Sequence, residues 1–595
     1  MVGNLGSDPR SAHGSLGADE PPGHPEAAGV AQSARLRAIH PYEWDVSSTA
    51  GRRDCSRKRL LRTAAPVGSP VDGLALLDAV DMLTTEPHLR MPQTSRRVGR
   101  MVVVLALAGF VAGCTAAPTA HVKLPPARAV AILVGHSGRW LTNSHGQVVI
   151  LHGLNMVYKR PPYEPQAAGF GTLAASTLAT DGFDVVRLGV IYSAVEPEPG
   201  VFSRAYVDAI ARTVAELAHD GVYSLLDFHQ DQMSTRFGGE GFPSWSVKTG
   251  GLPVRRYVFP LGYTESPALD AAYDNFWADR PGPGGVGLQQ RYAAAWQYVA
   301  KVFADDPWVL GYDLFNEPWP AHSSNAQLGA FYSRVIAAIR AVDSRHLIFY
   351  EPFVLFDFGV PTQLPRFADS NLGMSFHDYC LSDARTDPGA CSRSEQQVIA
   401  NALARSASTG SALVLSEFGA TDDRADLHRV ATDADAHQIS WIEWAYCGCE
   451  DPTGTIPPSI EGLVSNPRLA GTGGNVNRAK LAVLAEPYPR LVSGTPVSYS
   501  FDLESGVFNL TYTTRGPRGN SFSAGSCTAV VVPPFQFPHG YEVVVHGARV
   551  TSTPDAGVLT ISQLSNGGRT IHLEIRPAHS GPTTVPRPAA LTGCA

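Results

Sequence analysis

The chain has little basic charge and lacks the motifs of the common cofactor-binding folds. Its 595 residues include 47 Lys and Arg against 54 Asp and Glu, for a formal net charge of −7. A general nucleic-acid-binding protein needs a basic face that displaces counterions, so this composition argues against that class of partner. The sequence contains no zinc-type Cys/His cluster, no P-loop and no dinucleotide-binding glycine motif. Hydrophobic residues make up 44% and charged residues 17%, an ordinary globular balance, and the length predicts two or more domains.

Long apolar runs are also scarce. The run Met101–Val111 is shorter than the roughly 20 residues that a membrane-spanning helix needs. The basic stretch Ser95–Arg100 precedes it, and Val-Ala-Gly follows directly before Cys114. This order of segments defines a secretory signal, and a cysteine in this position resembles the acylated cysteine of bacterial lipoproteins. We predict a lipoprotein signal peptide over 91–113 and an exported protein, held on the outer face of the cell membrane by acylated Cys114 or secreted. A single membrane-spanning helix is the alternative.

The residues before this signal have the composition of a disordered segment. Residues 1–90 are rich in Gly, Pro, Ala, Ser and Arg and show no sustained apolar period. Because an export signal acts at an amino terminus, we interpret 1–90 as a misassigned upstream extension, with translation starting at Met91 or Met101. Residues 114–130 contain Cys114 and then a stretch rich in Ala, Pro and Thr, which predicts a tether to the folded domain.

Cysteines number only eight, of which one lies upstream of the signal and one is the predicted lipid site. The other six are Cys380, Cys391, Cys447, Cys449, Cys527 and Cys594. An even number in an exported protein suggests disulfides, although six cysteines allow 15 pairings. Cys380–Cys391 is the preferred bridge because it closes a short loop, and Cys527–Cys594 would fix the carboxyl terminus. Buried free thiols remain the alternative for Cys447 and Cys449.

From about residue 131, short apolar runs alternate with helix-like stretches. Apolar strands buried on both faces and separated by helices indicate a parallel α/β fold. Eight such units with polar residues at their carboxyl ends predict a (β/α)8 TIM barrel over 131–488, in preference to an open doubly wound sheet. The runs are Val148–His152, Val185–Val190, Tyr223–His229, Val309–Asn316, Leu347–Glu351, Gly373–His377, Leu413–Glu417 and Ser440–Trp444. Helical segments between them include Tyr206–His219, Leu288–Phe303 and Leu328–Val342.

The longest insertion follows the third predicted strand and contains the Gly-punctuated aromatic segment Phe237–Trp245. Loops of this length over an active face often form substrate walls, but the aromatic side chains would equally pack the loop onto the barrel. Both interpretations stay open on the sequence.

Residues 489–595 lack helical periodicity and read as short strands between Gly, Asn, Pro and Ser turns. The predicted strands are Val497–Leu503, Val507–Thr513, Cys527–Val532, Gly540–His546 and Ile571–Ile575. This pattern predicts a small antiparallel β-sandwich. Such a module binds carbohydrate or supports the barrel, and the lack of an evident aromatic row favours support.

Two glutamates end buried apolar runs of the predicted barrel. Glu317 follows Asp-Leu-Phe-Asn, and Glu417 follows Leu-Val-Leu-Ser. By strand count they end the fourth and seventh strands, which lie across the barrel mouth from each other. A glutamate at the end of a buried strand is costly unless it is paired or functional. A salt bridge would explain one of them, but two match the carboxyl pair of glycoside hydrolysis, one protonated and one ionised.

The surroundings of the two glutamates resemble glycoside hydrolase family 5. Asn316-Glu317-Pro318 and Ser416-Glu417-Phe418-Gly419 look like the acid/base and nucleophile motifs of that family. The other family positions that find a match, in the same order and at strand ends, are Arg187, His229, His377, Tyr379 and Trp444. A lone Asn-Glu-Pro is common, whereas this ordered set across most of the predicted barrel is specific.

Within that family the chain resembles the endoglycoceramidases and related glycolipid glycosidases. The resemblance rests on Val157–Tyr163, on His229-Gln230-Asp231 with the Phe-Gly-Gly loop, and on the carboxyl-terminal β-sandwich. It implies a retaining β-glycosidase that hydrolyses the glycan–lipid bond of a glycolipid without metal or cofactor. The triplet Gln232–Ser234 departs from that branch. The alternatives among enzymes are a polysaccharide-cleaving endo-β-glucanase or mannanase and a glycolipid exo-β-glucosidase. Outside the enzymes, the alternative is a non-catalytic surface lectin. The presence of both carboxylates argues against the lectin, because silent members usually lose one of them.

The resemblance also implies a role for each residue. Glu317 is expected to be the general acid, protonated because of the negative field of Glu417 and partial burial. Glu417 is expected to be the nucleophile, held ionised by Arg187 and a hydrogen bond from Tyr379. The two carboxyl groups should lie about 5–5.5 Å apart, which leaves no room for an intervening water and so predicts retention.

The remaining residues are expected to bind sugar. Asn316 would hold the 2-hydroxyl, His377 would orient Glu317, and Trp444 would form the apolar floor under the first ring. Outer hydroxyls are expected to be bound by Lys159, His229 and Asp231. Core packing is the alternative for Trp444, and a solvated loop charge is the alternative for Lys159.

Overall fold

The structure, a computed structural model, describes residues 131–380, 389–454, 456–578 and 594. These residues form a closed eight-stranded parallel barrel and two antiparallel sheets, so the predicted fold class is confirmed. The upstream extension, the signal peptide and Cys114 with its tether lie outside the described residues and stay predictions. Within the described part of the chain, no helix is both long enough and apolar enough to cross a membrane.

Strands and helices are numbered in chain order. The strands are β1 (Val134–Ser137), β2 (Trp140–Asn143), β3 (Val148–Val149), β4 (His152–Met156), β5 (Val185–Ile191), β6 (Tyr223–His229), β7 (Val309–Asp313), β8 (Leu347–Tyr350), β9 (Leu372–Asp378), β10 (Ala412–Phe418), β11 (Ser440–Glu443), β12 (Tyr488–Val492), β13 (Thr495–Asp502), β14 (Val507–Thr513), β15 (Cys527–Val531), β16 (Tyr541–His546), β17 (Ala548–Val550), β18 (Val558–Gln563) and β19 (Thr570–Pro577). The α-helices are α1 (Pro165–Ala168), α2 (Thr172–Asp181), α3 (Tyr192–Val195), α4 (Arg204–His219), α5 (Gly262–Glu265), α6 (Pro267–Trp277), α7 (Leu288–Phe303), α8 (Asn325–Arg340), α9 (Ala390–Thr409), α10 (Arg424–Ala436), α11 (Pro458–Glu461) and α12 (Arg478–Leu484).

Strands β4 to β11 form the barrel, and each is hydrogen-bonded in parallel to its neighbours around the ring. Every residue of these eight strands is buried, because their side chains alternate between the barrel interior and the surrounding helices. Glu317 follows β7 and Glu417 lies near the end of β10. They therefore belong to the fourth and seventh barrel strands, as the sequence predicted.

Capping residues set the helix starts that periodicity alone misplaced. The helix predicted to begin at Tyr206 begins two residues earlier, because the side chain of Ser203 accepts a hydrogen bond from the Tyr206 backbone N–H. The helix predicted from Leu328 begins at Asn325, since Ser324 and Gln327 form a capping box. Leu288–Phe303 has the predicted bounds.

The first predicted barrel strand is divided between two sheets. Val148–Val149 pairs antiparallel with β12, whereas the barrel strand begins at His152. Strands β1 to β3 thus belong to a seven-stranded sheet with the order β1-β2-β3-β12-β15-β18-β17. The boundary predicted at residue 489 therefore does not separate the sheets, because this sheet combines strands that precede the barrel with strands that follow it.

The carboxyl-terminal strands form the predicted antiparallel sandwich. Strands β13-β14-β19-β16 make a four-stranded sheet that faces the seven-stranded sheet. One apolar core joins them, with Val530 and Leu559 from one sheet and Phe508 and Ile575 from the other. The Tyr499 hydroxyl donates to the buried Asp435 carboxylate of helix α10, at 2.7 Å. This contact between sandwich and barrel agrees with a supporting role.

Three disulfides are present among the described residues. Cys380–Cys391 and Cys527–Cys594 are bonded as expected. Cys447 and Cys449 are also bonded to each other, so the free-thiol alternative does not hold for them.

Candidate active site

The two glutamates meet at the carboxyl ends of the barrel strands. One carboxylate oxygen of Glu317 and one of Glu417 lie within 4.8 Å of each other, with a His377 ring nitrogen within the same distance of both. The side chain of Glu317 is 13% exposed and that of Glu417 is 5% exposed. Both carboxyl groups therefore sit at the floor of the mouth, close enough to act on one bond.

Arg187, on β5, is the buried cation at the centre of the site. Its guanidinium donates to the carboxylate of Glu417, to Asp313 at 2.9 Å and to Glu351 at 2.9 Å. It also donates to the side-chain oxygen of Asn316 at 3.0 Å. A fully buried guanidinium is tolerated because these acceptors occupy its planar donor fork. The expected contact between Arg187 and Glu417 is present.

A third glutamate, Glu351, supports the pair and was assigned no role from the sequence. Its carboxylate accepts the backbone N–H of Glu317 at 2.7 Å and lies 3.4 Å from Nε2 of His377. His377 reaches Glu317 Oε1 through its other nitrogen, at 2.9 Å. The signal was visible, because Glu351 ends its apolar run as the other two glutamates end theirs. Glu351 and His377 together fix the orientation of Glu317.

The pKa values of Glu317, His377 and Glu351 are shifted in different directions by their surroundings. Burial is the main cause that raises the pKa of Glu317, with the charge of Glu417 a smaller one, while His377 opposes both. We expected the negative field of Glu417 to be the first cause of the raised pKa of Glu317, and this ranking was wrong because burial contributes more. Burial alone would lower the pKa of His377, but the carboxylates of Glu417 and Glu351 raise it well above its usual value. Burial would raise the pKa of Glu351, but His377 and Arg187 hold it below its usual value.

Tyr379 makes its expected hydrogen bond to Glu417, and Asn316 lies close by. The Tyr379 hydroxyl donates to Glu417 Oε2 at 3.0 Å, and burial together with the charge of Glu417 raises the pKa of that hydroxyl well above 10.0. The Asn316 amide accepts from Arg187 and donates to the backbone carbonyl of Gln230 at 3.1 Å. Both side chains are thus fixed beside the carboxyl pair.

The residues predicted to bind outer hydroxyls are brought together next to Trp444. The Lys159 ammonium lies 2.6 Å from Asp231 and 4.5 Å from the centre of the Trp444 ring. The His229 ring stacks on Trp444 with centroids 5.3 Å apart and bonds Asp227 at 2.7 Å. Burial alone would lower the pKa of His229, but Asp227 raises it to about 10. Lys159 is 6% exposed, so the solvated loop charge is the wrong interpretation for it.

Trp444 is held from behind by a buried polar group that sequence reasoning missed. Its indole N–H donates to the Glu461 carboxylate. Lys480 donates to the backbone carbonyl of Glu461 and lies 2.6 Å from Glu443. Burial raises the pKa of Glu461 to about 7. Trp444 and Lys480 lie 17 and 19 residues from Glu461, beyond the reach of a single helix or strand period, so no local pattern pointed to them.

The aromatic insertion packs onto the barrel. Phe237 and Phe242 are 1% and 3% exposed, which favours the packing interpretation over a substrate wall for these two rings. The intervening backbone pairs with Asp231, whose N–H and carbonyl both bond Glu240. A Cβ at Gly239 would lie 1.6 Å from the Asp231 carbonyl oxygen, so this close approach requires glycine. The loop therefore braces Asp231.

Two clusters at the site have the spacing of metal ligands. They are Glu317, His377 and Glu417, and His229, Asp231 and Glu240. In each cluster a protein cation already lies against a carboxylate: Arg187 on Glu417, and Lys159 on Asp231. The carboxylates thus have counter-charges supplied by the chain itself.

Two carboxyl groups this close at a barrel mouth fit a retaining glycoside hydrolase, in which a pair of carboxyls flanks the scissile bond without room for a water between them. Residues 143–450 match the family model described as cellulase (glycosyl hydrolase family 5). Residues 487–575 match the glycoside hydrolase family 5 C-terminal domain. The chain belongs to glycoside hydrolase family 5.

Known relatives share most of their length with this chain. Endoglycoceramidase I of Rhodococcus hoagii is 28% identical over 470 residues, which cover 75% of this chain and 88% of that protein. Endoglycoceramidase of Cyanea nozakii is 27% identical over 439 residues, covering 66% and 84%. Among solved structures, endo-glycoceramidase II from Rhodococcus sp. in complex with ganglioside GM3 has a TM-score of 0.62 at 26% identity, covering 74% of this chain and 99% of that one.

Proposed function

We propose that this hydrolase cleaves the bond between the glycan and the lipid of a glycolipid, with Glu417 as nucleophile and Glu317 as acid/base. The observation that carries the proposal is the placement of Glu317 and Glu417 within 4.8 Å of each other, with their supporting residues. The choice of a glycolipid is supported by the relatives named endoglycoceramidase, one of which was solved with a ganglioside.

The reaction has two steps. In the first, a Glu417 oxygen bonds to the anomeric carbon while the bond to the lipid oxygen breaks, and Glu317 gives that oxygen its proton. In the second, ionised Glu317 takes a proton from water as the water oxygen bonds to the anomeric carbon and releases Glu417. Two inversions give net retention. The raised pKa of Glu317 suits the first step, which needs it protonated.

The neighbouring residues would bind the sugar and stabilise the charge that develops on it. Asn316 is held by Arg187 and the Gln230 carbonyl, and it would bind the 2-hydroxyl, to which hydrogen bonds strengthen in the transition state. Trp444 would stack under the first ring. Lys159, His229 and Asp231 would bind hydroxyls farther out, since they are charged, buried and preorganised.

Export and lipid anchoring complete the proposal. Acylation of Cys114 would keep the enzyme at a membrane surface, and support comes from the order of basic, apolar and small residues before Cys114. Cys114→Ser should abolish incorporation of labelled palmitate in cells that process lipoproteins. Detection of a native peptide from residues 1–90 by mass spectrometry would contradict a start at Met91 or Met101.

A digest tests the substrate class. Lactosylceramide, an alkyl β-glucoside and a soluble β-glucan are incubated with the protein, and the products are resolved by mass spectrometry. We expect intact lactose and ceramide, and no products with Glu417→Gln of unchanged thermal stability. Single glucose from the alkyl glucoside would point to an exo-β-glucosidase, cleavage of the glucan alone to a polysaccharide hydrolase, and no cleavage at all to a lectin.

A further inference from the structure

A segment of the insertion after β6 exposes aliphatic side chains in a cluster. Leu252, Val258 and Leu261 expose 42%, 68% and 42% of their surface. Single exposed aliphatic residues are ordinary, but three within ten residues mark an interaction surface. We term residues 250–262, which contain all three, the apolar loop.

The charge of the apolar loop is opposite to that of the whole chain. Arg255 and Arg256 are both exposed, and no Asp or Glu occurs from residue 249 to residue 264. The chain carries a net charge of −7, so this basic segment is an exception to its composition. Arg256 donates to the backbone carbonyl of Thr235 at 2.8 Å, which holds the loop in place while leaving the arginine at the surface. Aliphatic and arginine side chains together fit a lipid surface with anionic headgroups.

The base of the apolar loop is fixed next to the reacting groups. The Tyr263 hydroxyl accepts the backbone N–H of Gln232 at 2.7 Å, and the Tyr263 ring packs on Trp319 with centroids 5.3 Å apart. Trp319 comes two residues after Glu317 in the chain. The base of the apolar loop thus contacts the segment that carries Glu317, the group that protonates the leaving oxygen.

We propose that the apolar loop docks the enzyme on a bilayer that contains anionic lipid. Docking brings the mouth of the barrel to the glycan of an embedded glycolipid while its lipid stays near the bilayer. This inference rests on the proposed function, because only a lipid-linked substrate requires the mouth to face a membrane.

Vesicle binding tests the docking separately from catalysis. Vesicles of phosphatidylcholine with and without phosphatidylserine contain no glycolipid, so turnover plays no part. Every protein is the processed chain from residue 115 onward, which retains every described residue, so that neither the apolar run Met101–Val111 nor acylation of Cys114 can provide the attachment. In the docking variant the three exposed aliphatic residues of the apolar loop become serine. The matched control has three exposed valines of the sandwich replaced: Val497→Ser, Val544→Ser and Val550→Ser.

We expect the docking variant to lose on the order of tenfold in partition onto vesicles with phosphatidylserine, and the control variant to bind like the parent. Arg255→Ala should weaken binding about fivefold on the same vesicles, and less on pure phosphatidylcholine. Equal binding by the docking and control variants would overturn the proposal.

A local probe guards against misfolded variants and against attachment through another surface. Tryptophan fluorescence of Val258→Trp should be quenched by brominated phospholipid more strongly than that of the parent, whereas Val544→Trp should match the parent. Lack of extra quenching at Val258→Trp would overturn the proposal. The apolar loop would then be a candidate surface for a protein partner. Hydrolysis of a soluble aryl β-lactoside should be unchanged in the docking variant. Absence of that hydrolysis in the parent would count against the proposed function but not against docking.

Discussion

Replacing His377 by asparagine removes the cation that lies 2.9 Å from Glu317 Oε1. Glu317 acts as a proton donor, so activity is lost as the pH rises through its pKa. His377 opposes the rise in that pKa caused by burial, so its removal should move the loss of activity to higher pH. A hydrogen bond between charged groups contributes about 1.5–3 kcal/mol, and about 1.4 kcal/mol corresponds to one pH unit. The basic limb should therefore move upward by about one pH unit or more.

The assay is the pH dependence of kcat/KM on an alkyl β-glycoside, whose poor leaving group requires the acid. The rate at the optimum should also fall on the order of tenfold, because Glu317 loses a contact that orients it. The matched control is His219→Asn. His219 ends α4 just before β6 begins, so it lies at the end of the barrel opposite the carboxyl ends of the strands, where the site is. Its profile should follow that of the parent. A basic limb of His377→Asn that stays in place, or moves to lower pH, would refute this electrostatic account.

Three further outcomes are expected. Tyr379→Phe removes the 3.0 Å bond to Glu417 and should lower kcat on the order of tenfold to a hundredfold; an unchanged kcat in steady-state kinetics would show that this bond does not matter. Glu461→Leu should raise KM several-fold more than it lowers kcat, because Trp444 loses its indole acceptor, and Glu461→Gln should restore KM since its amide oxygen still accepts. Cys594→Ser opens a disulfide that spans 67 residues and should cost about 4 kcal/mol of unfolding free energy; denaturant titration of the variant against the parent measures this, and equal midpoints would contradict it.

The barrel was predictable because its signals are local. Strands buried on both faces appear as continuous apolar runs, and their polar carboxyl ends place Glu317 and Glu417 on strands four and seven without knowledge of the pairing. Helix starts at Arg204 and Asn325 were missed by a few residues, since the capping contacts of Ser203 and Ser324 outweigh apolar periodicity.

The features of the fold and the site that the sequence did not predict depend on contacts between segments that are not neighbours in the chain. Val149 pairs antiparallel with Leu491, and the whole barrel sequence lies between these two residues. Because local sequence does not reveal this pairing, we predicted one strand over Val148–His152, where the structure has β3 and the start of β4. Lys480 is buried against Glu443 through a packing arrangement that no spacing indicates. Glu351 is different, because its position at a strand end was a visible signal. What singles it out is its hydrogen bond from the Glu317 backbone, and only three-dimensional contact reveals that bond.

Trapping the covalent intermediate tests most directly whether Glu417 attacks the anomeric carbon. A 2-deoxy-2-fluoro-β-lactosyl fluoride slows both steps but keeps a good leaving group, so the glycosylated enzyme accumulates. Digestion of the inactivated protein followed by mass spectrometry should find the lactosyl group on the peptide that contains Glu417, and Glu417→Gln should take up none. Sugar on another residue, or full activity of Glu417→Gln, would contradict the mechanism.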